Sequence, residues 1–264
     1  MLRLREQNGD WSKGVGVHVA THTITVSEIF GPTVQGEGAL IGKPTVFVRT
    51  GGCDYECPLC DTLYAVLPQY KNQWRPMTTE EVFAEVQRLS ADKPILVTLS
   101  GGNPAMQPLE GLLDMGHAHG YTFCMETQGS IAKSWFNKLD YLTLSPKGPT
   151  MIGTRKMNWE RLDHCVSYAK LGTERRETQI YLKIVVFDDA DYIYAKHVAQ
   201  RYPTLPVYLQ AGNHTPSHVS QEIDRVGVLR RMDWLIQKMA EDRWYDVTIL
   251  PQLHTLLWGN KRGV

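Results

Sequence analysis

Short apolar runs rich in β-branched and aromatic residues recur along the chain and alternate with segments of helical period. Six of these runs predict strands, at residues 45–49, 95–100, 121–126, 141–145, 180–187 and 207–210. Residues 107–119 and 190–201 have the helical period, and so does the segment after Thr78, where Glu81 completes a capping box. The chain is therefore predicted to alternate strands and helices.

A strand followed by a helix, repeated about six times with mostly apolar strands, is typical of a parallel sheet covered on both faces. We predict an α/β fold with about six parallel core strands, either open or rolled into a partial (β/α) barrel. Catalytic side chains should then follow the C-terminal ends of the strands. The strand-like segments 24–30 and 246–250 fall outside the series, and 63–76 and 213–220 are predicted surface loops.

Composition narrows the class of protein. The 264 residues include 28 Lys and Arg and 28 Asp and Glu, so neither a nucleic-acid surface nor an anionic-membrane binder is predicted. Residues 1–22 are polar and aperiodic, which predicts a flexible extension before a single domain at 23–264. The odd count of five cysteines argues against a secreted disulfide framework and favours a cytoplasmic protein. Cys124 and Cys165 lie in apolar or helix-like segments and are predicted to fill core space.

A cysteine triplet follows the first core strand. Cys53, Cys57 and Cys60 can converge on one metal centre from a single loop. Three thiols are one fewer than a closed structural site needs, which leaves a coordination position for a small molecule. Two other interpretations remain, zinc held by the three cysteines and a distant ligand, or a redox pair of Cys57 and Cys60.

Polar groups stand at the ends of several predicted strands, as an active site at a barrel mouth requires. Glu126 is a candidate proton acceptor, and Lys147 is a candidate partner for a cofactor or substrate carboxylate. In the glycine-rich loop before the first core strand, Gln35 and Glu37 could bind the donors and acceptors of a planar heterocycle. Arg49, at the end of that strand, could clamp a substrate carboxylate in bidentate fashion.

The triplet resembles the C-x3-C-x2-C signature of the radical S-adenosylmethionine (SAM) superfamily. The resemblance implies one [4Fe–4S] cluster whose open iron binds SAM, which is cleaved to a 5′-deoxyadenosyl radical. The turn Gly101-Gly102-Asn103 resembles the GGE-type motif that holds the SAM amino group, with Asn103 in place of the usual Glu. Leu59 also departs from the pattern, because an aromatic residue usually precedes the third cysteine.

Several segments together resemble one family of this superfamily. The similarity is to the 7-carboxy-7-deazaguanine synthases of Bacillus-like bacteria and extends over residues 26–264. The segments that carry it are FGPTVQGEG, FVRTGGCDYECPLCDT, LSGGNPA, ETQG, LSPK, YLQ and LPQLHTLLWGNKRGV. The resemblance implies a radical-mediated ring contraction of 6-carboxy-5,6,7,8-tetrahydropterin to 7-carboxy-7-deazaguanine with loss of ammonia, a step toward queuosine. A glycyl-radical activase and a zinc-stabilised binding module remain the alternatives.

The resemblance also implies partners and residue roles. It implies a homodimer that needs Mg²⁺ and takes electrons from a donor such as flavodoxin or ferredoxin. The implied metal ligands are Cys53, Cys57, Cys60 for the cluster and Thr62 for Mg²⁺. The implied cofactor contacts are Gly102, Ser145, Pro146, Lys147 and Gln210. The substrate contacts are Val34, Gln35, Gly36, Glu37, Arg49, Ser100 and Val264, the last through a terminal carboxylate.

Overall fold

A computed structural model describes residues 23–153, 156–172, 177–215 and 217–264. The predicted extension, residues 1–22, lies outside the described residues. The strands are β1 (Ile24–Val34), β2 (Pro44–Thr50), β3 (Arg75–Met77), β4 (Leu96–Gly101), β5 (Thr122–Thr127), β6 (Tyr141–Leu144), β7 (Gln179–Val186), β8 (Val207–Ala211) and β9 (Val247–Leu250). The α-helices are α1 (Thr79–Ser90), α2 (Glu110–Ala118), α3 (Pro149–Ile152), α4 (Trp159–Lys170), α5 (Asp189–Arg201), α6 (Arg225–Glu241) and α7 (Leu253–Trp258).

One nine-stranded sheet organises the described residues, in the order β3-β1-β2-β4-β5-β6-β7-β8-β9. From β2 to β9 each neighbouring pair is parallel, whereas β1 runs antiparallel to both β2 and β3. Because β3 and β9 are the two edges, the sheet is open. The predicted α/β fold with a partial barrel is confirmed.

The described residues form seven mutually parallel strands, one more than the six segments that the sequence pattern predicts. The sequence pattern predicts segment 246–250 to lie outside the strand–helix series, but β9 pairs with β8 in parallel, with Tyr208 opposite Thr248. The connecting helix α6 went unpredicted because its apolar pattern is weak. Its buried residues are Val228 and Leu235, and other apolar residues on it are exposed.

The helices cover one face of the sheet, and the opposite face lines the interior of the partial barrel. Along β7, Ile180, Leu182 and Ile184 are buried in the main apolar core, as the two-residue period of a strand requires. Lys183 therefore points to the opposite side, toward the first strands of the sheet. None of the described helices combines the length and the apolar character that crossing a membrane requires.

Helix α1 begins as predicted. Thr78 and Glu81 form both hydrogen bonds of the capping box, at 2.8 and 3.2 Å. The next helix was predicted from residue 107 but begins at Glu110. Gln107 instead bridges two strands, since its side chain accepts from the Thr25 amide at 2.9 Å and donates to the Gly51 carbonyl at 3.1 Å.

Segment 63–76, predicted as a surface loop, has regular structure of its own. It contains two 3-10 helices, Leu63–Ala65 and Pro68–Gln73, and then enters β3. The ring of Trp74 fixes the segment, because it packs against Gly51 and its Nε1 donates to the Tyr64 carbonyl at 2.8 Å. The other predicted loop, 213–220, has no helix or strand in its described residues.

Candidate active site

A cleft of about 1050 Å³ opens at the C-terminal ends of the parallel strands. The predicted site residues that line it are Val34, Gln35, Gly36, Glu37, Arg49, Cys53, Cys57, Cys60, Thr62, Ser100, Gly102, Glu126, Lys147 and Val264. These residues come from seven separate stretches of chain, and the fold brings them to one cleft.

Three predicted cofactor contacts, Ser145, Pro146 and Gln210, are buried and do not line this cleft. Ser145 lies just behind it, and its Oγ accepts from Lys147 Nζ at 3.0 Å. The Gln210 side chain donates to the Pro251 carbonyl at 2.9 Å, and its Oε1 has no hydrogen-bond partner among the described residues. Their proposed link to a cofactor is therefore indirect in this conformation.

The three loop cysteines face the cleft as reduced thiols, not as disulfides. Burial, aided by the charge of Asp61, raises the pKa of Cys60 to about 12, and burial also raises the pKa of Cys53. Gln128, which sequence reasoning missed, donates to Cys53 Sγ at 3.6 Å. Neutral thiols of this kind ionise when a metal cation binds them.

This donor set fits an iron–sulfur cluster. Within the described part of the chain, no three His, Cys, Asp or Glu side chains are close enough to share a single metal ion. A cubane cluster does not need that convergence, because each cysteine binds a different iron. Three cysteines on one loop at the edge of an open cleft would leave the fourth iron accessible to a small molecule.

The glycine turn after β4 is pressed against the base of the cysteine loop. Gly102 donates to the Thr50 carbonyl at 3.2 Å, and Asn103 donates to the Gly52 carbonyl at 2.8 Å. A Cβ on Gly102 would lie 2.1 Å from the Gly52 carbonyl oxygen, and Gly101 has φ +141°. Gly102 therefore requires glycine because the backbone contact leaves no room for a Cβ, and Gly101 requires it because of its positive φ.

Asn103, which replaces the usual Glu, points away from the cleft and is fully buried. Its Nδ2 donates to Asp54 Oδ1 at 2.8 Å, and its Oδ1 accepts from Thr127 Oγ1 at 2.8 Å. The amide thus ties the cysteine loop to the end of β5. A carboxylate could accept from Thr127 but could not donate to Asp54.

We expect Gly102→Ala to lower the free energy of unfolding by about 1–3 kcal/mol, the usual cost of overpacking, and to impair metal loading by displacing the cysteine loop. The matched control is Gly111→Ala in α2, where a Cβ meets only ordinary contacts with Thr79. That control should be neutral or stabilising by up to about 1 kcal/mol, since alanine favours helix. Urea unfolding and iron content per chain measure both effects. Equal behaviour of the two variants would contradict the close approach at Gly102.

Arg49 is held in place before any substrate binds. Its Nε donates to Glu28 Oε1 at 2.8 Å, and its guanidinium lies over the Phe30 ring at 5.5 Å. Tyr64 donates to the same Glu28 oxygen at 2.8 Å. One guanidinium edge is left near Ser100, 3.5 Å from its Oγ, on the cleft side.

Two aromatic rings form an apolar wall beside Arg49. Phe30 and Phe47 stack with their centroids 4.9 Å apart and an interplanar angle of 3°. Both line the cleft, and neither was predicted as a site residue. Their only sequence signal is their place in β1 and β2, since apolar residues of a strand usually indicate core.

A carboxylate pair faces the cleft from two distant elements and shares one buried lysine. Lys183 Nζ lies 2.6 Å from Glu126 Oε1 and also donates to Glu37 Oε2. Gln252 donates to the other Glu37 oxygen at 2.5 Å. Burial alone would raise the pKa of Glu37, but the charges of Lys183 and His254 outweigh it and lower the pKa to about 2.

The floor of the cleft contains a short polar ladder beneath Gln35. Cys124 Sγ lies 3.1 Å from Thr98 Oγ1, which lies 2.8 Å from Thr45 Oγ1. Burial raises the pKa of Cys124 to about 12, while hydrogen bonds from Thr98 and Gln35 act against that rise. Cys124 is buried as predicted, but it also contacts a predicted substrate-binding side chain.

The C-terminal segment reaches the cleft and is fixed by polar contacts. Asn260 donates to the carbonyls of Thr215 and Ser220 at 2.9 and 2.8 Å. The Arg262 guanidinium lies 3.7 Å from the centroid of the Tyr64 ring. These contacts bring Val264 to the cleft wall.

Known proteins resemble this chain in sequence and in fold. The sequence profile of the Radical SAM superfamily matches residues 47–175. The chain is 42% identical over 243 residues to the 7-carboxy-7-deazaguanine synthase of Bacillus subtilis, covering 91% of this chain and 98% of that one. The synthase of Bacillus cereus is also 42% identical and is covered to 99%. The crystal structure of QueE from Escherichia coli superposes with TM-score 0.63 at 20% identity, over 88% of this chain and 95% of that one, which is a likeness of fold.

Proposed function

The chain belongs to the 7-carboxy-7-deazaguanine synthase family of radical SAM enzymes, and we propose that it converts 6-carboxy-5,6,7,8-tetrahydropterin to 7-carboxy-7-deazaguanine with loss of ammonia. The observation that carries the proposal is one cleft in which the three loop cysteines face Arg49 and the Gln35–Glu37 loop. A glycyl-radical activase or a zinc-stabilised module has no need for such a pocket beside its metal loop.

The cluster would be held by Cys53, Cys57 and Cys60. When bound, the cluster would supply the reducing electron for cleavage of SAM to a 5′-deoxyadenosyl radical. Gly102 would offer its carbonyl to the SAM amino group, since its N–H is already bonded to the Thr50 carbonyl. Lys147 would offer a cation for the SAM carboxylate. Ser145 would act through Lys147, to which it is hydrogen-bonded. Pro146 and Gln210, the other proposed cofactor residues, are buried behind the cleft lining and would support the SAM pocket from there.

The substrate would bind with its carboxylate on Arg49, whose guanidinium is already fixed by Glu28 and Phe30. Glu37, with its lowered pKa, stays ionised at neutral pH and can only accept hydrogen bonds. That suits the amino-bearing edge of a pterin, which donates. Gln35 can supply both a donor and an acceptor to the same edge. Val34, Gly36, Ser100 and Val264 would complete the contacts.

Glu126 is the proposed base for the final deprotonation, because its carboxylate lies on the cleft wall and is paired with the Lys183 ammonium. Thr62 is the proposed protein ligand of Mg²⁺, which takes few protein ligands and favours oxygen. Its hydroxyl lies 3.6 Å from Cys60 Sγ, so a metal there would adjoin the cluster. The homodimer, the flavodoxin or ferredoxin donor and the cytoplasmic location stay predictions.

Anaerobic reconstitution tests the function. We expect the loaded protein, with SAM and a reductant, to convert 6-carboxytetrahydropterin to 7-carboxy-7-deazaguanine and to release ammonia and 5′-deoxyadenosine. Deoxyadenosine without the deazaguanine would contradict the proposed substrate and favour another radical SAM reaction. A protein that binds zinc but no iron would contradict every radical reaction.

A further inference from the structure

A lysine is buried in the interior of the sheet where the apolar pattern gives no reason for one. The Lys183 side chain is 3% exposed and rises from the middle of β7, between Leu182 and Ile184. Burying an unpaired ammonium would cost several kcal/mol, and even a paired one is weak evidence for added stability. The position therefore calls for an explanation other than folding.

Lys183 contacts two carboxylates that lie far from it in sequence. Glu37 follows β1 and Glu126 lies on β5, and both line the cleft, where they are 13% and 26% exposed. Lys183 itself does not line this cleft; it lines a smaller adjoining cavity together with the two carboxylates. The ammonium thus stands behind the carboxylates, which face whatever the cleft binds.

Two carboxylates that meet at one point repel each other, and without a cation one of them takes up a proton. A protonated carboxyl donates one hydrogen bond where an ionised one only accepts. Gln252 already donates to one Glu37 oxygen, so a protonated Glu37 keeps that contact only with its proton on the other oxygen, the one that faces Lys183. A cation between the two carboxylates favours the ionised pair, so that both carboxylates only accept hydrogen bonds from what the cleft binds.

We propose that Lys183 is a positioning residue, which keeps Glu37 ionised and holds it beside Glu126 so that the two carboxylates accept hydrogen bonds or a proton from the bound heterocycle. This rests on the proposed function for the identity of that heterocycle. Lys183 does not touch substrate; it acts through the two carboxylates. Other charged or titratable groups facing the pair are His254, Lys147 and Asp61, which line the same cleft and stay in place in the test.

The test replaces the charge and keeps the shape. Lys183→Met should lower kcat about 100-fold, in the range of a lost general base. Its pH–rate profile should have the acid limb at higher pH, because carboxylates without the cation titrate at higher pH. Lys183→Gln, which keeps a donor but no charge, should shift the limb in the same direction, and Lys183→Arg should keep it at the wild-type pH. Iron content and reductive cleavage of SAM should be unchanged in all three.

A second measurement does not depend on turnover. Infrared difference spectra across a pH titration of the unloaded protein should show a protonated carboxyl band in Lys183→Met at a pH where the wild type has none. Glu37→Gln and Glu126→Gln, each combined with Lys183→Met, assign the band. If Lys183→Met does not fold, Lys183→Gln and Lys183→Arg give the same comparison of neutral with charged side chain.

The matched control is Lys138→Met, since Lys138 also bridges two carboxylates, Glu110 and Asp114, but on the surface. It should leave the rate, the pH profile and the infrared spectrum unchanged. Neutral variants of Lys183 with a wild-type acid limb and no carboxyl band would overturn the proposal, whatever their thermal stability. A wild type that forms no deazaguanine, while the band still appears in Lys183→Met, would overturn the proposed function and leave the charge role standing.

Discussion

Replacing Cys57 with alanine is expected to abolish cluster binding and with it all formation of 5′-deoxyadenosine and deazaguanine. Each thiolate binds a different iron of a cubane cluster, so two cysteines leave a second iron unheld. Cys57 lies in the loop between Cys53 and Cys60 and lines the cleft with them. Iron and acid-labile sulfide per chain, measured after anaerobic reconstitution, give the result directly.

The chain supplies two internal controls for this variant. Cys165 is fully buried in α4, with its Sγ 3.5 Å from the Ile131 carbonyl, and lies outside the cleft. Cys165→Ala should keep both cluster and turnover. Cys124→Ala should keep the cluster but weaken substrate turnover, since Cys124 is hydrogen-bonded to Gln35. Full iron content in Cys57→Ala, or iron loss in Cys124→Ala, would contradict the assignment of ligands.

Local sequence was sufficient for the features that depend on neighbouring residues. The cysteine spacing places three thiols on one loop, and the capping box fixes the start of α1 at Thr78. Strand ends were predicted within a few residues, and parallel strands bring their C-terminal ends to one edge. This is why Arg49, Ser100 and Glu126 could be predicted to share a site.

Contacts between distant segments could not be predicted in this way. Lys183 and Glu37 are separated by 146 positions, and Gln252 and Glu37 by 215. A lysine within an apolar strand indicates only that a buried group of opposite charge pairs with it, and the sequence does not say which one. The residues that orient Arg49 could not be predicted for the same reason, because Glu28 and Tyr64 are distant from Arg49 in sequence and belong to no motif that includes it.

Gln210 illustrates the opposite difficulty. Its position at the end of a core strand predicts a cleft residue, but its side chain turns toward the Pro251 carbonyl. The segment that carries Pro251 follows β9, the strand that was placed outside the parallel series. Because β9 pairs with β8, the segment that follows β9 lies over the end of β8. Gln210 is therefore covered by that segment and does not open to the cleft.

Replacing Glu126 with glutamine is expected to lower deazaguanine formation by about 10²–10⁴-fold, the usual contribution of a general base, while cluster content and SAM cleavage persist. The amide keeps the size of the side chain, and its oxygen can still accept from Lys183, so the fold should be retained. It cannot take up a proton at neutral pH. Deoxyadenosine and deazaguanine are therefore measured in the same reaction, and their ratio should rise.

Glu110→Gln is the matched control, because Glu110 is also paired with a lysine, Lys138, but on an exposed helix. It should keep the wild-type ratio of deoxyadenosine to deazaguanine. A Glu126→Gln enzyme with the wild-type ratio would contradict the role of Glu126 as base. Loss of both products together would point to damage of the cluster loop instead. A raised ratio restricted to Glu126→Gln places the defect after radical generation, where a proton must leave the contracted ring and the carboxylate held by Lys183 is positioned to accept it.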